Sequence, residues 1–188
     1  MEPIDVLDLH SGALTPLPGL NSNPTYTLYR LSPDFVALEQ RQLMNETAIQ
    51  LDDRVSGRLV QLPFQMRDQY ETVTSAAVSD DGRYLAVGSG APGRVVVYDL
   101  TTRQLVDTIA DQRLQGPAGW PGDITQLAFS PFTHLLLMVF EVGDARLWDV
   151  DRRAAVFELP GVDEAAFTPD GRYLVTQAGG VIGVWGIK

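Results

Sequence analysis

Cysteine is absent from the 188 residues, lysine occurs once, at Lys188, and histidine twice, at His10 and His134. The first absence excludes disulfides, thiolate metal sites and thiol catalysis. The scarcity of imidazole leaves little material for a nucleophile–base pair, which needs a His beside a Ser, Thr or Cys. No apolar run approaches the ~20 residues that span a bilayer. The longest, Leu135 to Phe140, has the length of a buried strand. The opening MEPIDVLDL lacks the basic segment and apolar core of a signal peptide, so the expectation is a cytoplasmic protein without a membrane partner. Basic charge is scarce as well. Twenty-four acidic residues face fourteen basic ones, and a net charge of −10 repels a phosphate backbone, so nucleic acid is not expected as a partner.

What is present is a hydrophobic content of 45%, enough for one substantial domain, and a cassette that returns four times. It reads AAVSDDGRYLAVGS…VVVYDLTTRQLV from residue 76, AFSPFTHLLLMVF…ARLWDVDRRAAV from 128 and AFTPDGRYLVTQ…IGVWGIK from 166. A more worn copy, YRLSPDFVALEQ…AIQLDDRVSGRLV, starts at residue 29. Self-similarity at this period means one supersecondary unit stacked repeatedly, because a single small sheet cannot bury both faces alone. Runs of four to six β-formers between Gly, Pro, Asp and Ser predict strands, and no helical periodicity lasts two turns. In the third cassette the strands are expected at residues 125–130, 135–140, 145–150 and 155–159. Four short antiparallel strands per ~40 to 45 residues make the blade of a β-propeller.

The turns agree. Asp80-Asp81-Gly82 and Pro169-Asp170-Gly171 supply a side chain that bonds its own backbone and a Gly that accepts positive φ, closing a hairpin after the first strand. Ser56-Gly57-Arg58, Thr101-Thr102-Arg103 and Asp151-Arg152-Arg153 fall between third and fourth strands on the same side, so that face mixes Asp and Arg in solvated pairs. The segment ADQRLQGPAGWPGD, residues 110–123, cannot continue a strand and predicts a long loop from one blade's outer strand to the next blade's inner strand.

These features resemble the WD-repeat β-propeller family. Tyr98-Asp99, Trp148-Asp149 and Trp185-Gly186 each end an alternating apolar strand, and SPDGRYLA-type hairpins stand at 79–86 and 168–175. The resemblance covers residues 29–188, with RLWDV its most specific piece. It implies an all-β propeller of four-stranded antiparallel blades and a function in protein interaction. It also carries departures. Family members place a Gly-His pair before the innermost strand, and that His joins an Asp, a Ser or Thr and the Trp in a buried network. Neither His10 nor His134 lies in such a place, so the network is not expected in its usual form, and apolar packing must hold the blades together.

Family propellers usually close with seven blades, and about four are encoded. The expected division is a partial blade or closing strand over 1–20, blades over 25–63, 72–110 and 123–160, and an incomplete blade over 162–188. Residues 12–18 are a candidate for the missing outer strand of the last blade. An open arc exposes two apolar faces, at ~25 cal/mol per Å2 of apolar surface, so completion by a second copy or another chain is expected.

No catalytic, cofactor-binding or metal residue stands out. His10 and His134 fall in turns, Asp52-Asp53 and Asp80-Asp81 lack the ligand spacing of a calcium loop, and GSGAPG at 88–93 joins two strands rather than opening a helix. The candidates for partner binding are Phe64, Met66, Arg67 and Tyr70, in LPFQMRDQYE, with Arg113 and Trp120 in the long loop. Aromatic anchors beside arginines are what interface hot spots are made of. The same side chains would instead pack on the scaffold if the loops fold back. Tyr98, Phe129, Trp148, Phe167 and Trp185 are assigned to the core. The resulting expectation is a non-enzymatic scaffold for protein–protein interaction, with protein partners and no cofactor. The alternatives are a structural subunit of a larger assembly and a propeller enzyme with a central-channel site. The latter should converge His, Asp or Glu from equivalent strands, where these copies place Ala, Val and Phe.

Overall fold

The computed structural model describes residues 5–7, 11–16, 25–30, 35–41, 47–53, 58–62, 64, 73–90, 94–110, 123–141 and 143–187. All regular structure among them is β, and no helix there is long and apolar enough to cross a membrane. Strands β1 (Asp5–Leu7) and β2 (Leu14–Pro16) form a two-stranded antiparallel sheet. The first blade is β3 (Thr25–Arg30), β4 (Phe35–Arg41), β5 (Thr47–Asp53) and β6 (Arg58–Leu62). The second is β7 (Val73–Val78), β8 (Tyr84–Ser89), β9 (Arg94–Asp99) and β10 (Gln104–Ala110). The third is β11 (Ile124–Phe129), β12 (Leu135–Phe140), β13 (Asp144–Asp149) and β14 (Ala154–Pro160), within a residue or so of the expected bounds. The fourth is β15 (Glu164–Phe167), β16 (Tyr173–Ala178) and β17 (Val181–Gly186). Each sheet is an antiparallel meander in sequence order, and β3 packs beside β7 and β7 beside β11, so the first strands line up along one edge. That is the propeller arrangement read from the repeats.

The strands look almost uniformly apolar because each inner sheet is covered on both faces. On β8, Leu85 and Val87 turn to the first blade, where they join Leu62, Phe64, Val96 and Tyr98. The alternate residues Tyr84 and Ala86 turn to the third blade, joining Val95, Val97, Ile124, Leu136, Met138 and Phe140. On β12 the next pair, Leu137 and Val139, turns to the fourth blade with Leu147, Leu159, Ala165 and Leu174. A period of two thus assigns successive residues to successive interfaces. Polar links cross the same seams near the inner edge: Thr74 Oγ1 donates to the carbonyl of Ile124 at 2.7 Å, and Gln126 Nε2 to that of Ala165 at 2.9 Å. The approach is close enough that a Cβ on Gly88 would lie 3.0 Å from Ile124 Cγ2, so the absent side chain lets β8 seat against β11.

The turn chemistry is as read. Asp81 Oδ1 accepts from Ser79 Oγ at 2.6 Å and from the Arg83 amide at 3.1 Å, and Gly82 has φ 70°. Thr168, Asp170, Gly171 and Arg172 repeat this, with distances of 2.6 and 3.1 Å and φ 65°. The aromatic–Asp mark has a local cause too. Asp99 Oδ1 accepts the amides of Thr101 and Thr102, both at 2.9 Å, and Asp149 Oδ1 that of Arg152 at 2.9 Å, capping the third hairpin of each blade.

One core assignment is corrected. Tyr98 is buried, and Trp148, Phe129 and Phe167 pack against the clusters, but Trp185 is 44% exposed. It lies on β17, the edge strand of a three-stranded sheet, where its ring meets that of Phe157 of the third blade, centroids 5.9 Å apart, and no described strand lies on its outer side. Val181, Ile182 and Val184 are exposed beside it. β2 pairs with β1, Leu7 opposite Leu14, as the outer half of a blade does, and does not pair with β17.

Candidate functional site

The hairpins with Asp-Gly turns and the Arg-bearing hairpins open on one side of the blades; the β12–β13 turn and the chain leading into β15 open on the other. The two sides differ in charge. On the hairpin side, among the described residues, Asp81, Asp99, Asp149, Asp151 and Asp170 stand with Arg83, Arg103, Arg152, Arg153, Arg172 and His134. Arg83 Nε bonds Asp99 Oδ2 at 3.3 Å and Arg152 Nη1 bonds Asp149 Oδ2 at 2.9 Å. On the opposite side, Asp123, Glu141, Asp144, Asp163 and Glu164 stand at strand ends with Arg94, while Arg146, two residues into β13, is paired with Glu158 at 3.1 Å.

That acidic side contains a cavity of about 760 Å3 between the third and fourth blades. Glu141, Asp163 and Glu164 rim it, Thr125, Gln126 and Gln177 supply amides and a hydroxyl, and Phe140, Ala165, Val175 and Ile182 form its apolar surface. The rim is held by the backbone: the Glu141 amide donates to Asp123 O and the Asp163 amide to Gln177 O, each at 2.9 Å, while Asp163 Oδ2 accepts from the Gly179 amide at 3.0 Å. Carboxylates beside apolar side chains, with that of Asp163 held in place, suit a cationic group on an aliphatic stem. Among the described residues, no group of three or more His, Asp or Glu is placed to hold a metal ion.

The sequence-derived candidates fall in two sets. Phe64 is 7% exposed, packed with Leu62 and Val73 between the first two blades, and the Arg94 guanidinium lies 5.0 Å above its ring. Met66, Arg67, Tyr70, Arg113 and Trp120 lie outside the described residues. The cavity lining was not singled out from the sequence, because its residues are ordinary strand ends whose convergence depends on which blade follows which.

His134 is the second feature missed. It bridges Asp81 and Asp151, at 2.9 and 2.7 Å, instead of standing alone in its turn. A signal existed: the other copies carry Arg83 and Arg172 at this position. The tryptophans depart from expectation in part. Trp185 Nε1 donates to Thr176 Oγ1 at 3.0 Å, the Thr–Trp limb of the family's network, whereas Trp148 Nε1 donates to Asp107 Oδ2 of the second blade at 3.0 Å.

Comparison with known proteins bears directly on this geometry. The family model of the WD domain, G-beta repeat, matches residues 64–99, a span from Phe64 to the Asp99 cap. Residues 64–99 thus match the pattern of one WD repeat. The fold built around it resembles a chain in the crystal structure of the mitotic checkpoint complex, with a TM-score of 0.63, 24% identity, and coverage of 90% of this chain and 50% of that one. At that identity the likeness shows the fold alone, a β-propeller. In sequence, the chain is 31% identical over 108 residues to the dihydro-heme d1 dehydrogenase of Pseudomonas aeruginosa, covering 53% of this chain and 21% of that enzyme. The chain therefore spans half of the first of these proteins and about a fifth of the second.

Proposed function

We propose that this WD-repeat chain is a non-enzymatic scaffold that binds protein partners through the acidic side of its blades. The observation that carries the reading is the inter-blade cavity, with carboxylates at its rim and apolar residues at its floor. A segment presenting Arg or Lys next to an aliphatic residue satisfies both, and Met66, Arg67, Tyr70, Arg113 and Trp120 supply further contacts in this reading. The open edge of the fourth blade, with Val181, Ile182, Val184 and Trp185 exposed, is covered in the working assembly by a further strand and blade. The match to a protein of a checkpoint complex supports a role in assembly.

The test is selection from a random peptide library on the purified chain and on a Glu141→Lys, Glu164→Lys variant of matched stability. Enrichment of basic, aliphatic peptides on the wild type and their loss on the variant is the expected result. Identical selections on both, or none on either, refute the reading. For the edge, light scattering that finds a compact, stable monomer at micromolar concentration counts against completion by a second copy.

A second reading, a propeller with a ligand or reaction in its channel, rests on the match to the dehydrogenase. The described residues do not offer an imidazole to a haem iron, since both ring nitrogens of His134 face carboxylates. Titration of the chain with haemin, followed by absorbance, separates the readings: saturable binding at equimolar haem favours the second.

A further inference from the structure

His134 ends the β11–β12 turn of the third blade, and its two ring nitrogens point at two acids from different places. Nδ1 lies 2.7 Å from Asp151 Oδ2, in the third blade's own β13–β14 turn, and Nε2 lies 2.9 Å from Asp81 Oδ2, in the β7–β8 turn of the second blade. The ring meets that of Tyr84 edge to face, with centroids 4.8 Å apart and planes at 89°. Tyr84 in turn donates its hydroxyl to Asp151 Oδ1 at 3.2 Å, and Ser79 Oγ donates to the other oxygen of Asp81. A chain of hydrogen bonds thus runs from Ser79 through Asp81, His134 and Asp151 to Tyr84, crossing the seam between the blades twice.

The stoichiometry of protons decides what the ring must be. An ionised carboxylate only accepts, and a neutral imidazole has one N–H, so it satisfies one acid and turns a lone pair on the other. Both contacts are hydrogen bonds only when both nitrogens carry a proton. The surrounding charge favours that form. From the second blade the ring faces Asp81, with Arg83 and Asp99 behind Tyr84; from its own blade it faces Asp151, with Asp149 and Arg152 lining the adjoining cleft. Four carboxylates against two guanidiniums leave an excess negative charge around the imidazole.

We propose that His134 is a proton-operated clasp between the second and third blades, closed when the imidazolium bridges Asp81 and Asp151 and opened on one side when the ring gives up a proton. Burial opposes the charge on the ring, but the hydrogen bonds of Asp81 and Asp151 outweigh it and hold the His134 pKa above its usual 6.5. Because the folded value is raised, the clasp contributes fully below the unfolded pKa and is lost as pH rises through the folded one. Asp81 also holds the Ser79 hydroxyl and the Arg83 amide, and Asp151 the Tyr84 hydroxyl, so the relative setting of these turns of two blades responds to protons near neutrality.

Two variants and one titration test it on the full chain. His134→Arg keeps a permanent cation of the kind the other copies carry, and His134→Gln has none. NMR titration of the imidazole, with a His10→Gln background to assign the signal, should give His134 a pKa above 6.5. The gap in unfolding midpoint between wild type and His134→Gln should be widest below about pH 6 and narrow toward about pH 9, while the gap between His134→Arg and His134→Gln stays constant across that range. In a double-mutant cycle, His134→Gln and Asp81→Asn should be coupled more strongly at the lower pH than at the higher. A His134 pKa at or below 6.5, a gap that does not change with pH, or additive effects of His134→Gln and Asp81→Asn at the lower pH each overturn the proposal.

Discussion

Adjacent residues on one strand report on different neighbours, and a pair of core substitutions tests that. Leu136 and Leu137 are consecutive in β12 and both 0% exposed, the first facing the second blade and the second facing the fourth. Val175 of β16 occupies the position in the fourth blade that Leu137 occupies in the third, and it lines the open cavity and is only partly buried. Truncating a fully buried Leu removes its transfer free energy and leaves a cavity, about 3 kcal/mol for Leu136→Ala and for Leu137→Ala. Val175→Ala removes fewer methyl groups from a site already open to solvent, without a cavity term, and should cost under about 1 kcal/mol. Urea unfolding followed by tryptophan fluorescence reads these numbers by linear extrapolation, provided the slope is unchanged. In thermal unfolding a 3 kcal/mol loss corresponds to roughly 6 to 12 °C for a chain of this size. If Leu137→Ala falls within about 1 kcal/mol of wild type, the fourth blade does not cover the third as described; if Val175→Ala costs as much as Leu137→Ala, the far face of the fourth blade is not open as described.

Two further outcomes follow from the hairpin side. Arg103 and Arg153 have φ of 58° and 53°, a left-handed conformation that costs a side chain about 1 kcal/mol, so Arg103→Gly and Arg153→Gly should each stabilise by about 0.5 kcal/mol net of glycine's entropy; a lower midpoint for either would show that the side chain contributes more than the backbone strain removes. Acid should act through the carboxylates. Burial pushes the Asp81 pKa up, but the Ser79 hydroxyl, His134 and the Arg83 amide bring it down to about 2, and Asp99, Asp151 and Asp170 are also lowered by their hydrogen bonds. Depressed values mean stability present above about pH 4 and lost toward about pH 2, with about 1 kcal/mol from Asp81 after solvent screening. The stability gap between wild type and Asp81→Asn, measured by urea unfolding across that window, should narrow as pH falls; a constant gap contradicts the assignment.

The local chemistry was legible because it is local. A Ser or Thr, an Asp and a Gly at fixed spacing dictate the hairpins at residues 79–82 and 168–171 whatever surrounds them, and the Asp after each aromatic caps the turn two or three residues on. Apolar runs such as LLLMVF announced strands with two covered faces, and the repeat of the cassette announced that the covers are other copies. Tertiary structure alone decided what depends on the order and number of blades. Trp185 matches Trp148 in sequence and likewise turns to the preceding blade, meeting Phe157, but it is exposed because β17 is an edge strand with no described outer strand beside it, whereas Trp148 lies on β13 with β14 alongside. Phe64 is core rather than contact surface for the converse reason: a neighbouring sheet and Arg94 cover it. The His134 bridge joins residues 53 apart in the chain, and the cavity lining spans β11 to β17, so neither pattern has a period that a linear reading can detect. Hairpin propensities act over four or five residues, whereas electrostatic and steric complementarity between blades exists only once the sheets are set against each other.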